Sequence, residues 1–238
     1  MKELLREKGF LAAMVVSFLG FAMGFPFYQV EFPLGSGSFI QFYQASLESQ
    51  VTLFLIPIAA VLPPGGSYVR ESASGFLKLY LSRVSRMDYI RAKTCLVYAG
   101  GFLPFFLAGT LSFLFCFFFL YPLELKGAVS WEEARGAVET LLRISFIGGI
   151  IAEFSGIFAA VFRNYYMAYG LPFVVYYMMV ILKERYFPKM YVMYPGEWVL
   201  CKESWGTGNA GIWVFFLVVS LAVMLSHSLI LYWRLQEV

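Results

Sequence analysis

The sequence contains few charged residues for its length. Only 14% of its 238 residues are Asp, Glu, Lys or Arg, whereas soluble domains contain about 25%. Hydrophobic residues make up 60% of the chain, and its mean hydropathy is +0.71. This composition excludes an ordinary soluble globular domain and predicts an integral membrane protein. Because one transmembrane helix requires about 20 apolar residues, the chain has room for about six such helices and short loops.

Histidine and cysteine are also scarce. The single histidine is His227, and the three cysteines, Cys95, Cys116 and Cys201, lie far apart in the sequence. An odd number of widely spaced cysteines is not a disulfide framework, and one histidine without a neighbouring cysteine is not a zinc site. We therefore expect no metal site in this chain.

The chain lacks a Gly-Lys dipeptide and hence the Gly-x-x-x-x-Gly-Lys-Ser/Thr loop that cradles nucleotide phosphates. Six membrane spans would also leave no room for a separate soluble catalytic domain. We therefore predict that the protein is not an enzyme, has no catalytic residues and binds no cofactor of its own. Its basic residues cluster beside apolar runs, which favours a membrane surface over nucleic acid.

The apolar runs predict one all-α membrane domain over residues 1–238. Six transmembrane helices are expected at about residues 10–30, 51–68, 94–121, 140–162, 165–182 and 211–233. Residues 31–50 and 122–139 are expected to be polar loops. The second span is short and contains Pro63-Pro64, and we expect a kinked helix that continues toward Glu71.

Residues 68–93 form the most basic interruption between apolar runs. They contain six of the 18 Lys and Arg residues. If the N-terminus is cytoplasmic, eleven of the 18 lie on the cytoplasmic side, as the positive-inside rule predicts. We therefore expect both termini and this connector to be cytoplasmic, in a bacterial plasma membrane, with a very tight turn after residue 162.

The connector also has a helical apolar stripe. Phe76, Leu79 and Tyr80 share one face at the spacing i, i+3, i+4. A short amphipathic helix here could lie in the membrane interface or insert into a groove of a soluble partner. The simpler alternative is a basic loop that only fixes the topology.

The connector resembles that of the ABC-2 family, the membrane subunits of type-2 ABC transporters. The matching residues are, in order, Glu71, Gly75, Leu77 to Leu81, Ser85, Arg86, Tyr89, Ala92 and Lys93. Six spans with both ends inside agree with that family. The family often has proline where this chain has Arg83, so the local backbone turn is expected to differ.

The resemblance implies a coupling helix that docks on a cytoplasmic ATPase, which would bind ATP and Mg²⁺. That helix would comprise Gly75, Phe76, Leu77, Lys78, Leu79, Tyr80, Leu81 and Ser82. The resemblance also implies a second permease subunit, identical or related, with the translocation path between the two. We expect an exporter.

Glu153, the one acidic residue deep in a predicted span, and His227 are candidate functional residues. Glu153 is either a pathway or gating residue, or it forms a structural hydrogen bond to a neighbouring helix. It would be the proton site if the protein were instead a proton- or ion-coupled carrier. His227 could sense pH or simply pack through a hydrogen bond. A third alternative is a membrane anchor or immunity protein without transport.

Residues 183–208 are rich in Tyr, Trp, Met and Pro. Such a segment is typical of an aromatic belt at the membrane interface. The family resemblance adds a second interpretation, an outer lid before the last span.

Overall fold

The computed structural model describes residues 7–26, 34–63, 66–124, 130–206 and 209–236, and these residues are predominantly helical. The α-helices are α1 Lys8–Gly24, α2 Ser38–Leu47, α3 Gln50–Val61, α4 Ser67–Ala73, α5 Phe76–Leu81, α6 Arg86–Phe119, α7 Trp131–Phe162, α8 Tyr165–Arg185, α9 Pro195–Leu200 and α10 Ala210–Gln236. Short 3-10 turns follow α6 and precede α9. The prediction of an all-α protein is confirmed for these residues.

Four helices, α6, α7, α8 and α10, are long and apolar enough to cross a membrane. The pair α2 and α3 is bent by 54° and makes a fifth candidate if it is counted as one span. Helix α1 is apolar but shorter. These helices indicate a membrane protein, while the predicted number of six spans is not confirmed.

Helix α7 is the central helix of the bundle. In the apolar stretch of α7, 72% of the residues are buried inside the protein, whereas the corresponding share is 33% or less in α6, α8 and α10. Small residues allow close contact with α6, since a Cβ atom at Gly101 would lie 2.4 Å from the carbonyl oxygen of Gly148. Close backbone approach through glycine is a common way for membrane helices to associate.

The predicted polar loop at residues 31–50 is wrong for residues 38–47, which form helix α2. Phe39, Tyr43 and Leu47 are buried at four-residue spacing, and α2 packs against α6 and α7 through them. The Tyr43 hydroxyl donates to the carbonyl oxygen of Gly109 at 3.1 Å. Polar residues on the other face of α2 concealed this apolar stripe. Residues 27–33, part of the first predicted span and of this loop, lie outside the described residues.

The prediction that the second span continues as a kinked helix toward Glu71 is also wrong. Helix α3 ends at Val61, and a separate helix, α4, begins at Ser67. Pro63 and Pro64 have no N–H to donate, so the helical hydrogen bonds cannot continue through them. The last turn tightens instead, with the amide of Leu62 donating to Ala59 O at 3.3 Å.

Two of the remaining predicted spans begin earlier than the apolar runs suggested. Helix α7 starts at Trp131. Glu132 and Glu133 lie in its first turn, where their negative charges interact favourably with the positive end of the helix dipole. Helix α6 starts at Arg86 because the Ser85 hydroxyl caps it, accepting the amide of Asp88 at 3.1 Å. With 34 residues, α6 is about 50 Å long and exceeds a bilayer core of about 30 Å.

The residues near both ends of the described chain lie beside the connector. Arg70 forms an ion pair with Glu7 at 3.1 Å, and Leu235 is buried in one apolar cluster with Tyr68 and Leu77. The cytoplasmic location of this end remains a prediction. The tight turn between α7 and α8 is present, because Arg163 adopts a positive φ of 51° and the Asn164 side chain caps α8.

Candidate functional site

The connector folds into two short helices joined by a glycine. Helix α4 ends at Ala73 and α5 begins at Phe76, so the predicted amphipathic helix is present with nearly its predicted bounds. Gly75 has a φ of 72°, in the left-handed region that favours glycine. The glycine of the motif is therefore required by the backbone turn that separates the two helices.

Three residues of the connector motif meet in one polar cluster. The Glu71 carboxylate accepts a hydrogen bond from Lys93 Nζ and another from the Tyr89 hydroxyl, each at 2.6 Å. Lys93 is only 8% exposed, whereas the Glu71 side chain is 26% exposed, so the ion pair is partly buried. It fastens α4 to the first turns of α6. The sequence placed these residues in order along the chain, and the structure brings their side chains together.

Leu77 anchors α5 to the bundle. Its side chain is 1% exposed and belongs to an apolar cluster with Ile90 of α6, Ala160 of α7 and Leu231 of α10. The sequence does not distinguish Leu77 from its neighbours in the predicted coupling helix. Only the packing identifies it as the residue that fixes the helix in place.

The opposite face of α5 is apolar and exposed. Phe76, Leu79 and Tyr80 are 46%, 74% and 37% exposed, which is the stripe that the helical spacing predicted. The rings of Phe76 and Tyr80 stack with centroids 5.3 Å apart. Of the other predicted residues, the Ser82 hydroxyl donates to Leu79 O at 2.8 Å, and the Lys78 side chain lies outside the described part of the structure.

Arg83 stands where the family that the connector resembles often has proline, and its backbone amide forms a hydrogen bond that proline could not form. The amide of Arg83 donates to Tyr80 O at 3.0 Å and closes the turn after α5. Proline has no amide hydrogen and could not form this bond. Ser85 caps α6, and Arg86, the next motif residue, is exposed.

Glu153 and His227, predicted as separate candidates, form one buried pair. Glu153 Oε2 lies 2.6 Å from His227 Nδ1, and the residues are 0% and 1% exposed. The pair joins α7 to α10. Gly156 makes room for the imidazole, since a Cβ atom there would lie 2.5 Å from His227 Cε1.

The second polar atom of each side chain in this pair has no hydrogen-bond partner among the described residues. These atoms are Glu153 Oε1 and His227 Nε2, and both are buried. Burying polar atoms without partners is costly, because they lose their bonds to water. The pair is therefore a costly feature of the bundle interior, and such features inside membranes are commonly functional.

Two further polar contacts join α6 to α10 near this pair. The hydroxyls of Thr94 and Ser228 are 3.2 Å apart, and those of Tyr98 and Ser220 are 2.8 Å apart. Together with Glu153 and His227 they form a polar seam between α6, α7 and α10. The hydropathy of the three helices gave no sign that these positions face each other.

Arg143 falls within the predicted span at residues 140–162, but its burial is not predicted by the sequence. It lies within α7 at 7% exposure, and its Nη2 donates to Thr140 Oγ1 at 2.7 Å. The Thr140 hydroxyl in turn contacts Glu48 Oε1 at 3.5 Å. The only signal in the sequence was a charge inside an otherwise apolar run.

Within the described ranges, no three His, Cys, Asp or Glu side chains come together as a metal site. The arrangement offers two candidate functional features, an exposed apolar helix on an anchored connector and a buried carboxylate–imidazole pair. No protein-family model matches this chain, and no curated protein matches it.

Proposed function

We propose that this protein is a membrane-spanning permease subunit of an ATP-driven transporter, of the ABC-2 type that its connector resembles. The observation that carries the proposal is the connector itself. Its short helix α5 presents Phe76, Leu79 and Tyr80 outward while Leu77 holds it against the bundle. An exposed apolar helix face next to basic residues is suited to a groove in a soluble partner.

The contacts of the connector support a role in passing movement into the membrane helices. The Glu71–Lys93 ion pair links α4 to α6, and Leu77 belongs to the same apolar cluster as residues of α6, α7 and α10. A partner that moved α5 would therefore act on three long helices at once. In this proposal the partner is a cytoplasmic ATPase that supplies ATP and Mg²⁺ chemistry.

The rest of the proposal follows from the same resemblance. Two permease subunits, identical or related, would enclose the path between them, and the direction would be export. The connector end of the bundle would face the cytoplasm, since it holds the basic residues at positions 68–93.

The test is co-purification of the tagged protein with an ATPase encoded beside it, followed by ATPase and transport assays. Leu79→Asp and Phe76→Asp should each weaken binding of the ATPase and uncouple hydrolysis from transport. Trp131→Asp is the matched control, because Trp131 is 80% exposed and begins α7, at the far end of α7 from the connector. Unchanged binding and transport in the Leu79 and Phe76 variants would refute the docking role.

The buried pair favours a second candidate, a proton-coupled carrier that works alone. A carboxylate and an imidazole 2.6 Å apart inside the bundle can exchange a proton between them. The single chain in liposomes with an entrapped pH indicator would then show proton flux without ATP, and Glu153→Gln would abolish it. Absence of flux, together with an associated ATPase, would favour the first candidate.

A further inference from the structure

A cleft lies at the end of the bundle away from the connector. It has a volume of about 600 Å³ and lies between the last turn of α8, the first residue of α3 and the segment that leads into and out of α9. Of its lining residues, Gln50 is the first residue of the apolar helix α3, and Lys183 lies in the last turn of the apolar helix α8. This location places the cleft where a bilayer would meet water.

Three lysines line the cleft: Lys183, Lys189 and Lys202. The two acidic residues of the lining are Glu197 and Glu203, so the lysines outnumber them. Glu197 is only 5% exposed, and its Oε1 accepts the amide of Glu203 at 2.6 Å. With three lysines and two carboxylates, the lining of the cleft has a net formal charge of +1.

Aromatic residues shape the same wall. Lys183 Nζ lies 4.5 Å from the centre of the Tyr194 ring, a cation–π contact that directs the ammonium group along the wall. Burial raises the pKa of Tyr194, and the nearby Glu184 and Glu197 carboxylates raise it further. Tyr191 holds the other side through its hydroxyl, which donates to Ser204 O at 3.4 Å.

The segment beside the cleft exposes apolar side chains. Tyr186, Phe187 and Met190 are 68%, 46% and 48% exposed, directly after the last residue of α8. Apolar and aromatic side chains exposed at the end of a membrane helix are suited to the interfacial layer of a bilayer. A soluble phosphate compound has no apolar part that would contact these side chains, whereas the acyl chains of a lipid would cover them.

We propose that this cleft binds the phosphate of a membrane phospholipid headgroup, with Lys183, Lys189 and Lys202 as the cationic contacts. The glycerol and acyl chains would leave the cleft over Tyr186, Phe187 and Met190. The site does not depend on an ATPase partner, and it is separate from both α5 and the Glu153–His227 pair.

The experiment measures lipid binding to the detergent-purified protein by native mass spectrometry. Phosphatidylglycerol is compared with a diacylglycerol of the same acyl chains, which lacks the phosphate. Lys183→Gln and Lys202→Gln should each weaken binding of phosphatidylglycerol about fivefold, because one lysine near an anionic headgroup contributes about 1 kcal/mol. Arg185→Gln is the matched control, since Arg185 is an exposed cation on the same last turn of α8 that does not line the cleft.

The proposal is supported if phosphatidylglycerol binds, the diacylglycerol does not, and only the cleft variants lose affinity. Equal binding of the two lipids, or equal losses in Lys183→Gln and Arg185→Gln, would overturn it. Inorganic phosphate is added as a competitor in a separate arm. Complete displacement of the lipid by phosphate at an equal concentration would show a site for soluble phosphate and would also overturn the proposal.

Discussion

Glu153 of α7 and His227 of α10 are 74 residues apart in sequence and 2.6 Å apart in space. Both are inside the bundle, and Gly156 provides the space that the imidazole occupies. The contact makes one site out of two residues that looked independent. The contact also joins the central helix α7 to α10. These helices can therefore move relative to each other only if the bond breaks or if both side chains move with it.

The energy of this bond can be measured with a double-mutant cycle. Glu153→Leu or His227→Leu alone should destabilise the protein strongly, because each leaves the other polar group buried and unpaired. The double variant should lose less than the sum, with a coupling energy of about 2 kcal/mol. The free energy of unfolding in mixed detergent micelles is the measurement.

The control for this cycle is Ser226→Leu, since Ser226 is an exposed neighbour whose hydroxyl bonds only its own helix at Ala222 O. It should change stability little. Strict additivity of the Glu153 and His227 substitutions would mean that the two side chains do not interact in the folded protein.

The Glu71–Lys93 pair should matter far more than the nearby Glu7–Arg70 pair. Glu71→Gln leaves the ammonium group of Lys93, 8% exposed, without its carboxylate, and we expect a loss of about 2 kcal/mol. Glu7→Gln removes an ion pair whose partner Arg70 is 66% exposed, which should cost less than about 1 kcal/mol. Thermal unfolding of the two variants in detergent makes the comparison, and equal losses would contradict the prediction.

Gly75→Ala should loosen α5 without a steric clash. No atom lies within 4 Å of a Cβ atom at this position, so the cost of about 1 kcal/mol arises only from the φ of 72°. The amides of Arg83 and Val84, which bond to Tyr80 O, should exchange hydrogen about fivefold faster. Gly170→Ala is the control, because it has equal space but lies inside α8.

We expect Gly101→Ala to separate α6 from α7. The added methyl group would lie 2.4 Å from both Ala152 Cβ and Gly148 O, and neither atom is at the end of a flexible side chain. The expected loss is about 1–3 kcal/mol in the free energy of unfolding. Gly136→Ala, in the same helix as Gly148, meets only ordinary contacts at 3.7 Å or more and should be neutral or stabilising. A neutral Gly101→Ala would mean that the helices do not approach this closely.

The long apolar helices could be located from the sequence because hydropathy is a local property. The predicted span at residues 165–182 became α8, and the span at 211–233 became α10, with changes of a few residues at the ends. The predictions failed where polar residues continue a helix beyond its apolar part, as at the start of α7, and where an amphipathic helix, α2, lies in a segment of polar composition.

The connector was found from its charge and its helical stripe, both of which are visible along the chain. Its anchoring could not be found in this way. Whether Leu77 or Leu79 faces the bundle depends on the direction from which α5 meets α6, α7 and α10. The burial of Arg143 likewise depends on neighbours far away in sequence.

The amino-acid sequence by itself determined that this is a helical membrane protein, and it marked the connector and the ionisable residues Glu153 and His227. Few charges and apolar runs of about 20 residues are typical of transmembrane helices, whose backbone hydrogen bonds are satisfied within the helix. Only the tertiary structure decided which polar groups meet. Glu71 pairs with Lys93, and Glu153 pairs with His227, because helix packing sets how each helix is rotated and how far it is shifted along its axis. Such pairings are fixed by contacts across the bundle, and local sequence patterns do not contain them.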